Sequence, residues 1–196
     1  MIQSHQYWRN PTTENSPTKY LIGKNKSLFL VSIMKKYVPK KATILEIGCN
    51  IGRNVHYLYV NGYKNVVGIE INSDAVDLLY FAYPNTAGKM NIINDSVEEI
   101  IPKLFDESFD VVFTMAVLEH LSLESEFVFS HIIRITKNVI LTIEDEFTCS
   151  SRHFPRNYRK IFEISGIKHL EINTNNIEGI SSPNFHSRLF IKKPFI

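Results

Sequence analysis

Five apolar runs in this chain of 196 residues end beside polar side chains able to hold a ligand, and four of the five present an acid there. The first is Ile44-Leu45-Glu46-Ile47-Gly48-Cys49-Asn50-Ile51-Gly52-Arg53-Asn54. Gly48 has no Cβ, so bare backbone can turn beside a ligand, and Gly52 lets a following helix start pack closely. Asn50 stands where a third glycine is common and tolerates the left-handed geometry of such a turn. The spacing G-x-x-x-G is neither the dinucleotide pattern G-x-G-x-x-G nor a phosphate loop ending in Gly-Lys-Ser/Thr. A helix N-terminus favours an anion, whereas Glu46 repels pyrophosphate and suits an ammonium group. A ligand with both an amine and a carboxylate meets both demands. Glu70 lies about 20 residues past the turn, where a carboxylate can bond ribose hydroxyls. Ile71 beside it suits an adenine face, and Asp95 suits an adenine amino group. These positions describe an adenosine joined to an amino acid.

The elements that hold these residues alternate. The strand Thr43–Ile47 is continuously apolar, as in a parallel sheet buried on both faces. A helix follows over 52–61, closed by Gly62, then a strand over 65–69, a helix Ser73–Ala82 and a strand over 90–94. Ser96-Val97-Glu98-Glu99 reads as a capping box. Strands are expected over 110–115 and 139–143, with a helix between them that Ser122 caps. A helix beginning at Pro155 and closed by Gly166, and strand-like runs at 170–173 and 188–191, complete the chain. Residues 1–16 read as a polar arm whose Tyr7-Trp8 pair patches the core or covers a ligand site. Ser16-Pro17 reads as the start of an amphipathic helix reaching Pro39. Residues 1–39 are therefore an arm and helix that pack on or cap the core, and 40–196 form the main domain, an α/β fold with helices on both faces of a mostly parallel sheet.

Composition narrows the class. Hydrophobic residues at 44% with 21% charged are ordinary globular usage. A net charge of +2 is too mild for a nucleic-acid footprint. Cys49 and Cys149 cannot make a disulfide framework and point to a reducing compartment. No run approaches the roughly 18 apolar residues of a membrane span, and the N-terminus lacks an apolar signal core. A soluble cytoplasmic protein is expected.

The motifs E-I-G-C-N-I-G at 46–52, G-I-E-I-N at 68–72, N-D-S at 94–96 and F-D-V-V-F-T-M-A-V-L-E-H-L at 109–121 occur in order. Together they resemble class I S-adenosylmethionine-dependent methyltransferases, closest to the small-molecule branch. The resemblance implies a Rossmann-like, doubly wound, seven-stranded sheet with one antiparallel strand inserted from the C-terminal hairpin. S-adenosylmethionine is the implied cofactor. Glu46 and the Gly48 backbone would hold the methionine amine, with Asn50, Gly52 and Asn54 lining that end. Glu70 would bind the ribose beside Ile71, Asp95 and Ser96 would contact adenine, and Met115 with Ala116 would support the cofactor from below.

Methyl transfer is an in-line displacement, so positioning and desolvation carry much of it. His120, after the fourth strand, is the candidate base, and Glu144, after the fifth, the candidate to orient an acceptor hydroxyl. Tyr7, Asp145, His153 and Arg156 are candidates to meet a small-molecule acceptor. Glu119-His120 with His153 partly resembles the metal site of small-RNA 3′-end methyltransferases, but that pattern wants an acid where Ala116 stands, and Met115 replaces the acid of catechol-type enzymes; no metal is expected. No D/N-P-P-Y/F tetrapeptide of amino-directed DNA methylation occurs. An inactive cofactor-binding module and an RNA-modifying enzyme are the alternatives, and a nicotinamide oxidoreductase is disfavoured by the glycine spacing and Glu46.

Overall fold

The structure, a computed structural model, describes residues 2–163, 167–172, 174, 177–178 and 180–195. Seven strands form one sheet in the order β3-β2-β1-β4-β5-β7-β6. They are β1 (Thr43–Ile47), β2 (Asn65–Glu70), β3 (Asn91–Asn94), β4 (Phe109–Met115), β5 (Thr136–Asp145), β6 (Lys168–Ile172) and β7 (Phe185–Ile191). β1 to β5 run parallel. β7 lies antiparallel between β5 and β6, which supplies the inserted strand expected near 188–191.

The helices are α1 (Ile2–Arg9), α2 (Lys24–Tyr37), α3 (Arg53–Val60), α4 (Ser73–Ala82), α5 (Pro84–Ala87), α6 (Val97–Ile100), α7 (Phe127–Ile135) and α8 (Tyr158–Phe162). Adjacent strand residues go to opposite cores, as the two-residue period of a strand requires. Ile44, Val111 and Phe113 meet Leu30, Met34, Val55, Leu58 and Leu79 on one face. Leu45, Val112 and Ile140 meet Val128, Ile132, Tyr158 and Phe162 on the other. Strand order reverses between β1 and β4, and there the loops leave a crevice at the carboxyl ends.

Several boundaries differ from the sequence reading for identifiable reasons. The arm is helical over Ile2–Arg9. The helix expected from Pro17 is instead a 3₁₀ turn, Pro17–Leu21, followed by α2 from Lys24. Gly23 between them sits at φ +91, a left-handed value that interrupts a helix. Arg53 Nη1 donates to the freed carbonyls of Tyr20 (2.9 Å) and Ile22 (2.7 Å). Ser122 precedes the 3₁₀ turn Leu123–Ser125 with no side-chain cap bond, and α7 starts only at Phe127. Half of the capping box forms: Ser96 Oγ accepts the Glu99 amide at 3.3 Å, while the Ser96 amide goes to Asp95 Oδ1 at 2.7 Å. α8 starts not at Pro155 but after Asn157, whose side chain caps Lys160 N at 2.9 Å. β5 extends to Asp145, so Glu144 and Asp145 are strand residues rather than loop acids. Gly166 and Asn173 lie outside the described residues.

Candidate active site

The turn after β1 is built from backbone that few residues tolerate. Gly48 and Gly52 take φ +70 and +66, and Asn50 takes +49, the left-handed region expected of it. A Cβ on Gly48 would stand 2.5 Å from Val117 Cγ2. The amides of Gly48 and Cys49 both donate to the Ile69 carbonyl, at 2.8 and 3.0 Å, which pins the turn to the end of β2. Gly52 does not line the cavity; a Cβ there would meet Leu79 Cδ1 at 2.2 Å, so its bareness serves the packing of α4.

Glu46 is 2% exposed and lines the cavity beside Gly48. Its Oε1 accepts from Asn54 Nδ2 at 2.8 Å, and its buried Oε2 has no hydrogen-bond partner among the described residues. Burial pushes its carboxyl pKa up to about 8. A buried carboxylate oxygen with an unmet bond is costly and invites a cationic donor. Ser27, fully buried on α2, donates to Asn54 Oδ1 at 2.6 Å and receives Arg53 Nε at 3.0 Å. α2 therefore sets the rotamer of the residue that holds Glu46.

Glu70 faces both compartments of the cavity. Its two oxygens accept the amides of Asn50 (2.7 Å) and Asn72 (2.8 Å), so it braces the glycine turn as well as facing a ligand. Burial raises its pKa against those hydrogen bonds. Each carboxylate oxygen has a second lone pair, so hydroxyl donors can still bind. Beyond it lies a largely apolar slot of Ile47, Ile69, Ile71, Val97, Val117 and Leu121, with Asp95 and Ser96 at its edge. The Ser96 hydroxyl is already the cap of α6.

Helix α1 lies across this slot. His5 Nε2 meets Glu98 Oε1 at 2.9 Å, Arg9 Nη2 meets Asp95 Oδ1 at 3.4 Å, and Trp8 lies on the His120 ring at 4.4 Å. Trp8, not Tyr7, lines both compartments. Tyr7 instead bonds Thr12 Oγ1 and Asn15 Nδ2 and carries Arg152 over its ring at 4.2 Å.

The acids and bases of the second half of the sheet divide differently from expectation. Met115, Ala116 and His120 line the cavity. Glu144 does not: it is fully buried, and Oε2 accepts the amides of Val117 (2.9 Å), Leu118 (3.0 Å) and Glu119 (3.4 Å). That oxygen caps the turn after β4, while Oε1 is buried away from the cavity with no hydrogen-bond partner among the described residues. Asp145 accepts from Phe147 N, Thr148 N and Thr148 Oγ1, closing the turn after β5. Arg156 is buried too, donating to the carbonyls of Leu121 (2.8 Å) and Ser122 (3.1 Å), so its cation holds the post-β4 loop and does not face a substrate. His153 lies one step behind His120, their rings 4.6 Å apart. His120 Nδ1 is 2.8 Å from the Arg152 carbonyl, and burial depresses its pKa to about 4, so the ring is neutral at pH 7. Glu119 and Glu144 are neighbouring buried carboxyls, both raised chiefly by burial.

Sequence reasoning missed Tyr20, Lys26, Val117 and Ile180, all of which line the cavity. Val117 was within a recognised motif and the clash at Gly48 gives it away, but Lys26 and Ile180 reach the site only through tertiary packing.

Chemically, Glu46 can accept an ammonium, Glu70 can accept hydroxyl donors, and the apolar slot has the character to take a flat base. The sequence matches a family model described as a methyltransferase domain over residues 45–139. No curated protein matches the chain. Magnesium protoporphyrin IX methyltransferase from Synechocystis, solved with bound S-adenosylmethionine, superposes with a TM-score of 0.70 at 15% identity over 98% of this chain and 96% of that one. A SAM-dependent methyltransferase from Archaeoglobus fulgidus gives 0.61 at 17% identity over 85% and 94%. The [4+2]-cyclase SpnF gives 0.63 at 11% identity over 87% and 82%; likeness at these identities is likeness of fold. The family match runs from β1 through the glycine turn into β5, 95 of the 196 residues, so the chain resembles methyltransferase domains in sequence over that stretch and solved methyltransferases in fold.

Proposed function

We propose that the protein methylates an oxygen or nitrogen atom of a small-molecule acceptor, in the cytoplasm. The observation that carries the reading is the meeting of two compartments at His120: an apolar slot on the Asp95 side, and a second space walled by Trp8, Tyr20, Lys26 and Ile180 on the Met115 side. The cavity is covered by α1, which suits a small acceptor better than a polymer. A net charge of +2 also argues against RNA, and both cysteines are free thiols, in keeping with a reducing compartment. Among the described residues no helix is long and apolar enough to cross a membrane.

When bound, S-adenosylmethionine supplies a methyl group on a sulfonium, which passes to the acceptor as the carbon–sulfur bond breaks to leave a neutral thioether. Glu46 holds the ammonium, Glu70 the ribose hydroxyls, and the slot excludes water from one side. His120 acts on the acceptor. Calorimetry with S-adenosylhomocysteine tests the cofactor half, and no binding at about millimolar ligand would sink it. Labelled-methyl turnover on cell extract tests the acceptor half: label in the small-molecule fraction is expected, and label in RNA would overturn it. His120→Ala should lower turnover with S-adenosylhomocysteine affinity intact; equal loss of affinity would reject its assignment to the acceptor.

A further inference from the structure

Glu119, His120 and His153 each bring a ligand atom to a common point, all within 4.8 Å of one another. They come from two loops, Glu119 and His120 after β4 and His153 after β5. Each has another polar atom fixed by the scaffold. Glu119 Oε2 accepts the backbone amide of Asp145. His120 Nδ1 is 2.8 Å from the Arg152 carbonyl, and Nε2 lies 3.6 Å from Glu119 Oε1. His153 Nδ1 lies 2.9 Å from Ser150 Oγ. A ligand histidine typically has its other nitrogen held in this way, which fixes the tautomer and aims the ring.

The surroundings favour a cation. Buried Glu144 and Asp145 add carboxylates beside Glu119. The nearby Arg152 guanidinium is drawn aside onto the Tyr7 ring. Two ligands each about 2.1 Å from one ion lie at most about 4.2 Å apart, so a small rotation of His153 closes the set. The absence of an acid at Ala116 counts against a metal only if the site must be local in sequence, and His153 arrives from a distant loop.

We propose that Glu119, His120 and His153 bind one divalent first-row transition-metal cation at the mouth of the cavity. Two imidazoles and one carboxylate suit manganese, iron, cobalt or zinc and leave positions open. Its use rests on the methyltransferase reading: an acceptor oxygen takes an open position, the cation lowers its pKa, and its proton passes to water. This favours oxygen over nitrogen as the acceptor atom. It also makes His120 a ligand, with no proton to receive.

The test needs no substrate. Full-length protein, purified without a polyhistidine tag and stripped with chelator, is titrated with Co²⁺ while its visible absorption is followed, and bound metal is counted by equilibrium dialysis. About one equivalent should bind, with affinity falling about tenfold or more in both His153→Ala and His153→Gln. No saturable uptake by about 1 mM Co²⁺, or uptake that falls by less than that in both variants, overturns the proposal. S-adenosylhomocysteine calorimetry on the same samples keeps the two readings apart. Cofactor binding without Co²⁺ uptake defeats the metal alone, and Co²⁺ uptake without cofactor binding defeats the methyltransferase reading alone.

Discussion

The two halves of the sheet end in equally acidic residues but use them in opposite ways. At the ends of β1 and β2, Glu46 keeps an unpartnered oxygen and Glu70, though braced by two amides, lines both compartments. At the end of β5, Glu144 caps three amides, Asp145 closes a turn, and Glu146 makes a two-point ion pair with Arg188 at 2.6 and 3.0 Å. The first half turns its carboxylates toward the cavity; the second turns them toward supporting loops and Arg188. An acid at a strand end therefore says where a carboxylate is and leaves open what it is for. Whether it reaches the cavity decides that: Glu46 and Glu70 do, whereas Glu144, although its Oε1 also lacks a hydrogen-bond partner among the described residues, does not.

Substitutions can break this contrast. The largest effect is expected from Arg188→Ala, which leaves the buried Glu146 unpaired; stability should fall by about 3–5 kcal/mol, read by denaturant unfolding. S-adenosylhomocysteine affinity of the folded fraction should stay within about twofold. Glu70→Ala should do the reverse in emphasis, weakening S-adenosylhomocysteine by about a hundredfold (about 2.7 kcal/mol), with a smaller stability loss from the two released amides. Glu144→Gln should cost about 1–3 kcal/mol of stability and leave cofactor affinity unchanged; a selective loss of cofactor affinity would move Glu144 into the first group.

Glu46 sharpens the contrast through pH. Its carboxyl is raised to about 8 in the folded protein, against about 4.3 in an unfolded chain. Its contribution is therefore fully present below pH 4.3 and is lost as pH rises toward 8. Wild type should lose stability relative to Glu46→Gln across that window, and flat parallel curves would refute it. An ammonium at Glu46 binds the ionised form, so S-adenosylhomocysteine should release up to one proton at pH 7 from wild type and none from Glu46→Gln, measured by calorimetry in two buffers. The smallest effect is Trp8→Ala, which uncovers the slot and should speed S-adenosylhomocysteine dissociation several-fold, read by stopped-flow.

Much of the first half was legible because its signals are local. The glycine turn, the β-branched run of β1 and the acid after β2 lie within a few residues of the atoms they position. Asn50 adopts the left-handed backbone its side chain tolerates. The partners of the acidic run 144–146 were less legible because two of the three come from distant segments: Glu144 Oε2 takes amides of the post-β4 loop and Glu146 pairs with Arg188 on β7, while Asp145 closes its own turn. Arg156 read as a candidate to meet an acceptor and is a buried clamp on carbonyls more than thirty positions earlier. The break at Gly23 was hidden in the helix expected over Pro17–Pro39, because the Arg53 side chain that satisfies the freed carbonyls comes from a distant helix.

The sequence alone determined the alternation of elements, the parallel sheet and the chemistry of the first turn, because apolar periodicity and glycine geometry act over short range. Tertiary structure decided which charges face the cavity. Hydrogen-bond satisfaction of a buried carboxylate depends on amides and cations brought from distant segments. Only the fold showed that Glu46 has a vacant oxygen, that Trp8 covers the slot, and that His153 stands beside Glu119 and His120.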